Sequence, residues 1–412
     1  MALIVQKYGG TSVGSIDRIR NVAARIKAER DKGHQVVAVI SAMGGVTDKL
    51  IGMAREITEE PTEREMDVLL SSGEQQSIAL LAIALNDLEV DTVSATGRQA
   101  GIVTSGSHTR GRIESIDASL INGYLAEDRT VIVAGFQGMT EQGMIQTLGR
   151  GGSDLSAIAV ASSINADLCQ ILTDVDGVHT ADPRVVKKAR KLPEISYDEL
   201  LELASVGTKV MQSRSVEFAK KYGVKFEVKS SLNQNPGTIV TDEHEAMESV
   251  VIRGVSIERS QARVTITGIP DTPGMSGRIL GALARAEVNI DMIVSNIAND
   301  KLARHSFTMH TSDLGRAQSA LKPVLTELGG EAAIETEGGI AKLSCVGIGM
   351  RSHSGVAAQM FDALGEANIN IGMISTSEIK ISVTVEEDQI EEAARVVHSA
   401  FGLDATGVNA GP

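Results

Sequence analysis

The sequence is poor in aromatic residues and in cysteine, and both shortages exclude classes of protein. Tryptophan is absent, and aromatic residues make up only 2% of the 412 positions. Modules that bind nucleic acid by base stacking need exposed aromatic side chains, so the composition argues against them. Cys169 and Cys345 lie far apart, each in an apolar, strand-like run. We therefore predict two buried thiols in a reducing cytosol, without a disulfide framework or a metal site.

Positive charge is also scarce. The chain has 39 Lys and Arg against 53 Asp and Glu, a formal net charge of −14, which argues against binding to a nucleic-acid backbone. Any anionic ligand must therefore be held by a local basic site. The N-terminal residues lack the basic region of a signal peptide, and the longest apolar tract, SIALLAIALN, is about half of a membrane span. We expect a cytoplasmic protein with neither a nucleic-acid nor a membrane partner.

Hydrophobic residues make up 42% of the chain, and up to about residue 245 they alternate between strand and helix patterns. ALIVQKY, VVAVISA, TVIVAGF and LCQILTDV are typical of short buried strands with helices between them. This rhythm predicts an α/β fold with a mainly parallel sheet sandwiched by helices. Ligands of such sheets bind at the carboxyl ends of the strands, where the glycine-rich segments of this chain fall. The polar segment SSLNQNPGTIVTDEHEAMES then reads as a linker.

Beyond the linker the chain repeats itself. Residues 264–293 resemble residues 343–374, with a Gly-Ile pair near the start of each copy and an Asn-Ile pair near its end. Each copy reads as strand, helix, strand, strand and helix. This order predicts two small ferredoxin-like βαββαβ units.

The segment TLGRGGSDLS (147–156) concentrates polar chemistry where an extended run meets a helical pattern. Glycines and the free N–H groups of a new helix let an anion approach the backbone. Arg150 adds a planar fork that suits a carboxylate or a phosphate. Asp154 lies in the first helical turn, where the helix dipole favours an acid. An ordinary helix start is an equally good interpretation of this segment alone.

Two earlier glycine-rich segments also join a strand pattern to a helical pattern. KYGGTS brings Lys7 beside a glycine pair at the end of the first strand, where it can neutralise a phosphate or form a solvated turn. A Walker A loop is excluded because Ser15 stands where its lysine should be. SAMGGVTD follows the second strand, and Ser72, Gly73 and Glu74 interrupt a long helical pattern.

The segment TDVDGVHTADPR follows another buried strand and is rich in acids. Paired aspartates near a phosphate site can orient Mg²⁺ or a ribose, although a β-turn and a helix cap explain them equally. Four such junctions follow buried parallel strands, with Lys7, Arg150, Arg184 and Lys209 distributed among them. The arrangement fits phosphoryl transfer, which needs positioning and charge stabilisation more than covalent chemistry.

These motifs, in this order, resemble the amino-acid kinase superfamily and within it the aspartokinases. The resemblance rests on KYGGTS, SAMGGVTD, SSGE, TLGRGGSD, TDVDGV, TADPR and VGTKV. The two C-terminal repeats resemble the paired ACT domains of lysine-sensitive aspartokinases. The implied layout is an amino-acid kinase domain over 1–245, a first ACT repeat over 263–335, and a second over 249–262 and 340–405. The first repeat would be nested in the second, which borrows the strand 250–257.

The activity implied by the resemblance is the transfer of phosphate from ATP to L-aspartate, giving 4-phospho-L-aspartate with Mg²⁺. This is the first step towards lysine, threonine, methionine and isoleucine. The catalytic residues would be Lys7, which neutralises the transferring phosphoryl group, and Asp154, which organises the lysines. ATP would be bound by Lys7, Gly9, Gly10, Ser41, Thr173, Asp174, His179, Asp182, Arg184, Lys209 and Val210. L-Aspartate would be bound by Thr47, Glu74, Arg150, Gly151, Gly152 and Ser153. No metal ligand is assigned.

The resemblance also implies feedback regulation by lysine, threonine or both. The effector residues would be Asp271, Gly274, Asn289, Ile290, Asp291 and Asn296 in the first repeat, and Gly355, Val356, Asn370 and Ile371 in the second. It further implies a homo-oligomer assembled through the repeats, with a separate short ACT-only subunit in some relatives. His179 and Ser295 depart from the pattern, because many relatives carry Tyr at the first position and some carry Gln at the second.

Three alternative functions fit the sequence less well. A sister kinase acting on N-acetylglutamate, glutamate or UMP is usually built without the ACT pair and SAMGGVTD. A catalytically silent amino-acid sensor predicts the loss of Lys7, Arg150 or Asp154, and all three are present. An NAD-dependent dehydrogenase is excluded because no GxGxxG follows the first strand.

Overall fold

A computed structural model describes residues 1–205, 211–244, 250–297, 302–328 and 332–405. Within these residues the chain folds as two compact units. The first unit comprises 1–178, 191–204 and 211–244, and the second comprises 179–190 and the described residues from 250 onward. The expected kinase domain was a continuous 1–245, so the structure differs in assigning 179–190 to the second unit.

The first unit contains twelve strands and seven helices among its described residues. In chain order these are β1 (Leu3–Tyr8), α1 (Ile16–Asp31), β2 (Gln35–Ile40), α2 (Val46–Ile57), α3 (Glu63–Asp87), β3 (Thr92–Ala95), β4 (Ile102–Ser105), β5 (Arg112–Ile116), α4 (Ser119–Ala126), β6 (Thr130–Ala134), β7 (Gln137–Met139), β8 (Ile145–Thr147), α5 (Gly152–Ser163), β9 (Leu168–Thr173), β10 (Glu194–Ser196), α6 (Tyr197–Ser205), α7 (Ser213–Tyr222), β11 (Phe226–Ser230) and β12 (Thr238–Thr241).

The main sheet has the strand order β10-β12-β11-β9-β1-β2-β6-β3. All of its pairings are parallel except β11 with β12. Every residue of β1 and β2 after the first is buried, as expected for strands covered by helices on both faces. The predicted α/β class with a mainly parallel sheet is therefore confirmed.

Helix α1 shows how local sequence builds one of these covering layers. Ser15 caps the helix by accepting from the Arg18 backbone N–H, which satisfies one of the free donors of the first turn. Ile19, Val22, Ala23 and Ile26 are buried, and their spacing of three and four places one apolar stripe on the sheet.

Helix α3 is continuous, contrary to expectation, and it is also long and apolar. Ser72, Gly73 and Glu74 were expected to interrupt the helical pattern, but α3 runs unbroken from Glu63 to Asp87. The hydroxyls of Ser71 and Ser72 donate to the carbonyls of Val68 and Leu69, so these residues are accommodated within the helix. By length and composition alone α3 could cross a membrane, but half of its apolar window is buried inside the protein.

Two further expectations were wrong. The junction before α5 was expected to follow a buried parallel strand, but β8 belongs to a separate four-stranded sheet of order β5-β4-β7-β8 and runs antiparallel to β7. The polar segment after residue 230 was expected to be a linker, but it contains β12, which pairs with β10 and β11 in the main sheet. Cys169 and Cys345 are buried free thiols, as predicted.

The second unit contains six strands and four helices in its described part. These are β13 (Gly254–Pro270), α8 (Met275–Arg285), β14 (Ile293–Ile297), β15 (Leu302–His310), α9 (Leu314–Leu328), β16 (Ala333–Val346), α10 (Val356–Glu366), β17 (Ile374–Thr376), β18 (Lys380–Glu386) and α11 (Ile390–Ala400). Its antiparallel sheet has the order β14-β15-β13-β16-β18-β17. Two ferredoxin-like repeats are therefore fused into one sheet, which confirms the predicted class.

The fusion depends on two long strands that serve both repeats. The start of β13, 254–258, pairs with 342–346 of β16, and the later part, 263–267, pairs with 333–337. The pairing shifts register around Gln261, and Ser260 has a positive φ of 57°. The second repeat thus takes its last strand from the start of β13. The resemblance implied a borrowed strand at 250–257, whereas β13 begins at Gly254.

The segment 179–190 packs into the core of the second repeat. Ala181 and Val186 are buried in the same cluster as Val397 of α11. Thr180 Oγ1 lies 2.8 Å from His398 Nε2, and burial lowers the pKa of His398. The Arg190 guanidinium donates to the carbonyl of Leu403 at 2.8 Å. This segment is therefore an integral part of the second unit.

Candidate active site

A cavity of about 360 Å³ opens in the first unit where β1 and β2 end. It brings together three glycine-rich segments: the turn after β1, the turn after β2 and the loop that enters α5. Its lining residues are Lys7, Gly9, Gly10, Ser41, Ala42, Met43, Gly44, Gly45, Thr47, Asp48, Glu74, Phe136, Gly149, Arg150, Gly151, Gly152, Ser153 and Asp154.

An ion pair between Lys7 and Asp154 lies at this cavity. Lys7 Nζ is 2.7 Å from Asp154 Oδ1, and the two side chains are only 11% and 13% exposed. The strand β1 carries Lys7, and Asp154 lies in the first turn of α5. A buried pair of this kind fixes the position of the ammonium group, because either partner alone would be an uncompensated buried charge.

Two helices begin at the cavity without a side-chain cap in the described part of the chain. Gly45 precedes α2 with φ 80°, and Gly151 precedes α5 with φ 72°. A side chain other than glycine would be strained at such positive φ values. The uncapped N–H groups and the positive ends of the two helix dipoles make this end of the cavity suited to an anion.

The turns after β1 and β2 pack backbone to backbone. The Gly44 N–H donates to the carbonyl of Gly10 at 3.1 Å. A Cβ atom on Gly10 would lie 2.8 Å from the carbonyl oxygen of Ala42, so a larger residue would separate the two turns. Glycine at this position keeps Lys7 and Ser41 beside the same cavity.

Glu74 reaches the cavity from α3. It is 3% exposed; its Oε1 accepts from the Ala42 N–H at 3.0 Å, and within the described part of the chain its Oε2 has no partner. Burial raises the pKa of Glu74 from 4.5 to about 7. An unpartnered carboxylate oxygen facing a cavity offers a strong site for a ligand cation or ammonium group.

Arg150 is exposed and lines a second, neighbouring cavity of about 620 Å³ as well. The neighbouring cavity is also lined by Arg110, Arg112 and Arg214. Arg214 donates to the carbonyls of Leu148 at 3.0 Å and Gly111 at 2.7 Å; burial and the charge of Arg112 lower its pKa. Both Arg214, which lines the neighbouring cavity, and helix α5 therefore hold the loop of Arg150.

Eleven of the residues expected at the active site line one cavity, namely Lys7, Gly9, Gly10, Ser41, Thr47, Glu74, Arg150, Gly151, Gly152, Ser153 and Asp154. Thr173 ends β9, which pairs with β1, and Asp174 follows it, but neither residue lines the cavity. His179, Asp182 and Arg184 belong to the second unit, where Arg184 forms an ion pair with Asp182 at 2.7 Å. Lys209 and Val210 lie outside the described residues. The ATP-binding roles of these residues stay predictions.

The structure adds cavity residues that the sequence did not single out as binding residues. The Ala42 backbone holds Glu74, and Phe136 lines the cavity in a left-handed conformation with φ 67°. An aromatic residue held between Gly135 and Gln137 just after a buried strand is a signal that could have indicated it. Asp48 and Gly149 also line the cavity.

The carboxylates of the cavity fit a magnesium ion that arrives with a nucleotide. Within the described residues, no group of three or more His, Cys, Asp or Glu side chains could hold a metal ion by itself. Mg²⁺ commonly takes most of its ligands from phosphates and water, with one or two protein carboxylates. Asp48 and Asp154 lie at the cavity beside the helix starts. The cavity therefore offers one or two carboxylates and leaves the other ligands to phosphates and water.

Comparison with known proteins agrees with this geometry. Residues 2–230 match the amino acid kinase family, and residues 253–325 and 343–401 match ACT domains. An aspartate kinase of Stutzerimonas stutzeri is 52% identical over 99% of both chains. An aspartokinase of Pseudomonas aeruginosa is 52% identical over 98% of both chains.

Solved structures similar to this chain include aspartokinases. Aspartokinase III of E. coli in complex with aspartate and ADP has a TM-score of 0.76 and 25% identity, covering 97% of this chain and 99% of its own. The same E. coli protein in complex with lysine and aspartate also has a TM-score of 0.76. The identity of 52% over 98–99% of both chains, together with the family match over residues 2–230, means that the chain belongs to the aspartate kinases of the amino acid kinase family.

Proposed function

We propose that this chain transfers the γ-phosphoryl group of ATP to the side-chain carboxylate of L-aspartate within the cavity described above. A carboxylate oxygen would attack the γ-phosphorus while the bond to the bridging oxygen breaks, giving 4-phospho-L-aspartate and ADP. No proton needs to be transferred in this step. The protein would therefore contribute positioning and charge stabilisation.

Lys7 is the residue proposed to stabilise the transferring phosphoryl group. Its ammonium group lies against Asp154 at the cavity that the starts of α2 and α5 also line, and this arrangement is the observation that carries the proposal. Asp154 would hold the ammonium in place without accepting a proton. Gly9, Gly10 and Ser41 would offer backbone and hydroxyl groups to the phosphates, with Thr173, Asp174, His179, Asp182, Arg184, Lys209 and Val210 as further proposed ATP contacts.

L-Aspartate would be held by groups of opposite charge on two sides of the cavity. Arg150 would take a carboxylate through its guanidinium fork. Glu74 would take the ammonium through Oε2, the oxygen that has no partner among the described residues. Thr47, Gly151, Gly152 and Ser153 would complete the contacts with hydroxyl and N–H groups.

Mg²⁺ is proposed to enter with ATP and to be held mainly by the phosphates, with Asp154 or Asp48 near it. When bound it would neutralise charge on the phosphate oxygens. Lys7 and the helix starts would orient the nucleotide, and Arg150 and Glu74 would orient the acceptor. The cytoplasmic location stays a prediction.

Feedback inhibition by lysine, threonine or both is proposed to act through the ACT repeats. The E. coli relative was solved with lysine. In this chain Gly274 and Gly355 precede α8 and α10 with φ values of 94° and 92°, so the two repeats offer equivalent helix starts. Asp291 contacts the buried Lys342, which also pairs with Glu258 at 2.8 Å.

The remaining proposed effector contacts are Asp271, Asn289, Ile290 and Asn296 in the first repeat and Val356, Asn370 and Ile371 in the second. Assembly of a homo-oligomer through the repeats is part of the same proposal. A separate short ACT-only subunit stays a prediction.

One assay tests both parts of the proposal. ADP release would be measured with aspartate, glutamate, N-acetylglutamate and UMP, each with and without lysine and threonine. We expect turnover with aspartate only, and inhibition by at least one of the two amino acids. Turnover with another acceptor would contradict the substrate assignment, and full activity with both effectors present would contradict the regulatory one.

A further inference from the structure

We propose that Asp67 is a positioning residue that fixes the segment carrying Arg150, and so sets the affinity for the acceptor substrate. The inference rests on the proposed role of Arg150 as the clamp for a substrate carboxylate. Asp67 lies in the second turn of α3 and does not line the catalytic cavity. It would therefore act through the loop and not by touching the substrate.

The carboxylate of Asp67 is fully buried and is surrounded by donors from two other segments. Its exposed fraction is 0%. Oδ1 accepts from the Thr147 hydroxyl at 2.6 Å and from the Thr147 N–H at 3.1 Å. The Thr109 N–H donates to both oxygens, at 3.0 and 3.2 Å, and His108 Nδ1 lies 2.6 Å from Oδ2.

These bonds join the end of β8 to the loop between β4 and β5. The same two segments are joined directly, because the Gly111 N–H donates to the carbonyl of Thr147 at 2.8 Å and the Gln146 side chain donates to the carbonyl of Gly106 at 2.8 Å. Asp67 adds to these direct bonds in fixing the end of β8, a strand of only three residues. Arg150 follows Thr147 by three residues.

A buried carboxylate is costly unless several donors surround it. Here the donors are two backbone N–H groups, one hydroxyl and one imidazole nitrogen, all of which converge on one side chain. Asparagine has nearly the same size as aspartate. Its amide nitrogen, however, is itself a donor and cannot accept the hydrogen bonds that one carboxylate oxygen of Asp67 accepts. The Asp67→Asn substitution should therefore loosen the attachment of Thr147 while leaving α3 itself intact.

A role limited to stability predicts a different result from a positioning role. Loss of stability alone lowers the amount of active enzyme and affects both substrates alike. Displacement of the Arg150 loop should act on aspartate and spare ATP, because none of the proposed ATP contacts lies between Thr147 and Ser153. A displacement of about 1 Å in a binding group commonly costs up to about 10²-fold.

The test uses Asp67→Asn, Arg150→Ala and the double variant in the full-length enzyme. Asp67→Asn should lower kcat/KM for aspartate about tenfold through KM, with KM for ATP and kcat changed less than about twofold. In the Arg150→Ala background the same substitution should have almost no further effect, because the group that it positions is gone.

Glu227→Gln is the matched control. Glu227 is also a buried acid that accepts from a side chain, Gln170, and from a backbone N–H, Gly237, both at 2.8 Å. Its substitution should leave kcat/KM for aspartate unchanged. An equal loss in this control, or an equal loss from Asp67→Asn in both Arg150 backgrounds, would overturn the positioning role.

Should Asp67→Asn fail to fold, Thr147→Val and Thr147→Ser carry the test. Valine removes the hydroxyl that donates to Asp67, and serine keeps it, so only valine should raise KM for aspartate. Equal behaviour of the two variants would overturn the inference. An Arg150→Ala variant with normal KM for aspartate would contradict the proposed function, whereas a normal Asp67→Asn beside an impaired Arg150→Ala would contradict the positioning role alone.

Discussion

Two charged residues expected to bind ligands at the active-site cavity are buried, whereas three polar residues expected to bind effectors in the ACT repeats are exposed. In the cavity, Lys7 and Glu74 are 8% and 3% exposed, and Lys7 is already paired with Asp154. In the repeats, Asp271, Asn289 and Asn370 are exposed. Buried, paired groups form a site that is assembled within one unit. Exposed groups on a small domain need a further surface to enclose a ligand, which agrees with the proposed contacts between repeats of different subunits.

This difference should appear in the effects of substitution. Changes in the cavity should act directly on turnover and substrate affinity, whereas changes in the repeats should act on inhibition and leave the uninhibited reaction intact.

Lys7→Ala should have the largest effect. The loss of one preorganised charge at a phosphoryl-transfer site lowers turnover by roughly 10²-fold or more. ADP release at saturating aspartate and ATP measures it, and Lys27→Ala serves as the control because Lys27 pairs with Asp31 on the surface of α1. Near-normal turnover would remove Lys7 from the mechanism.

Arg150→Ala should raise KM for aspartate by about 10- to 100-fold, the scale of a lost charge-assisted bidentate contact. KM for ATP should change less than about twofold. Arg20→Ala is the control, since Arg20 is 71% exposed and pairs only with Asp17 in the described part of the chain. Equal losses for both substrates would contradict the carboxylate assignment.

Asn289→Ala and Asn370→Ala should raise the effector concentration for half-maximal inhibition about tenfold, as expected for the loss of a polar ligand contact. Uninhibited turnover should stay within about twofold of the parent, and Ser319→Ala on α9 is the control. Point variants test this better than deletion from residue 250, because deletion would also remove the packing partners of Ala181 and Val186. A fall in basal turnover equal to the loss of inhibition would contradict the separation of the two sites.

Glu74 should give the smallest effect, a pH dependence. With a pKa of about 7, the ionised fraction rises about threefold between pH 6.5 and 7.5, so KM for aspartate should fall by a similar factor over this range. The KM of Glu74→Gln should be higher and independent of pH. A parental KM that is flat over this range would contradict an ionised Glu74 as the ammonium ligand.

The same group gives a linked stability effect. Because burial raises the pKa of Glu74 from 4.5 to about 7, the folded state retains a proton that the unfolded state has lost. The contribution of Glu74 to stability is therefore present below about pH 4.5 and is lost as the pH rises through 7. In chemical denaturation, the free energy of unfolding of Glu74→Gln should lack the decrease with rising pH that Glu74 causes in the parent.

The strand ends and glycine junctions were predictable because they depend on local pattern. The strand β2 has no polar residue after Gln35, and β6 has only Thr130 at its start. The internal repeat was predictable because duplicated units keep their spacing. These signals place Lys7 at the end of β1, whereas its association with Asp154 was implied only by the family resemblance.

Other features depend on contacts that no local pattern shows. Ser72, Gly73 and Glu74 indicated a break in α3, because small and polar residues are unusual within a buried helix. This part of α3 packs near β8 and the active-site cavity. The four residues of β12 are too few to stand out from a polar segment. The segment 179–190 contacts residues such as His398, about 200 positions away in the sequence. Nothing in the sequence of the segment itself indicates these contacts.

The shared strand β13 has a consequence for protein engineering. Since one end of this strand completes the second repeat and the other end begins the first, neither repeat is a separable module. A graft that exchanges one repeat for that of a relative would join mismatched halves of β13 and β16 across the register shift at Gln261. Chimaeras designed to change effector preference should therefore exchange both repeats together.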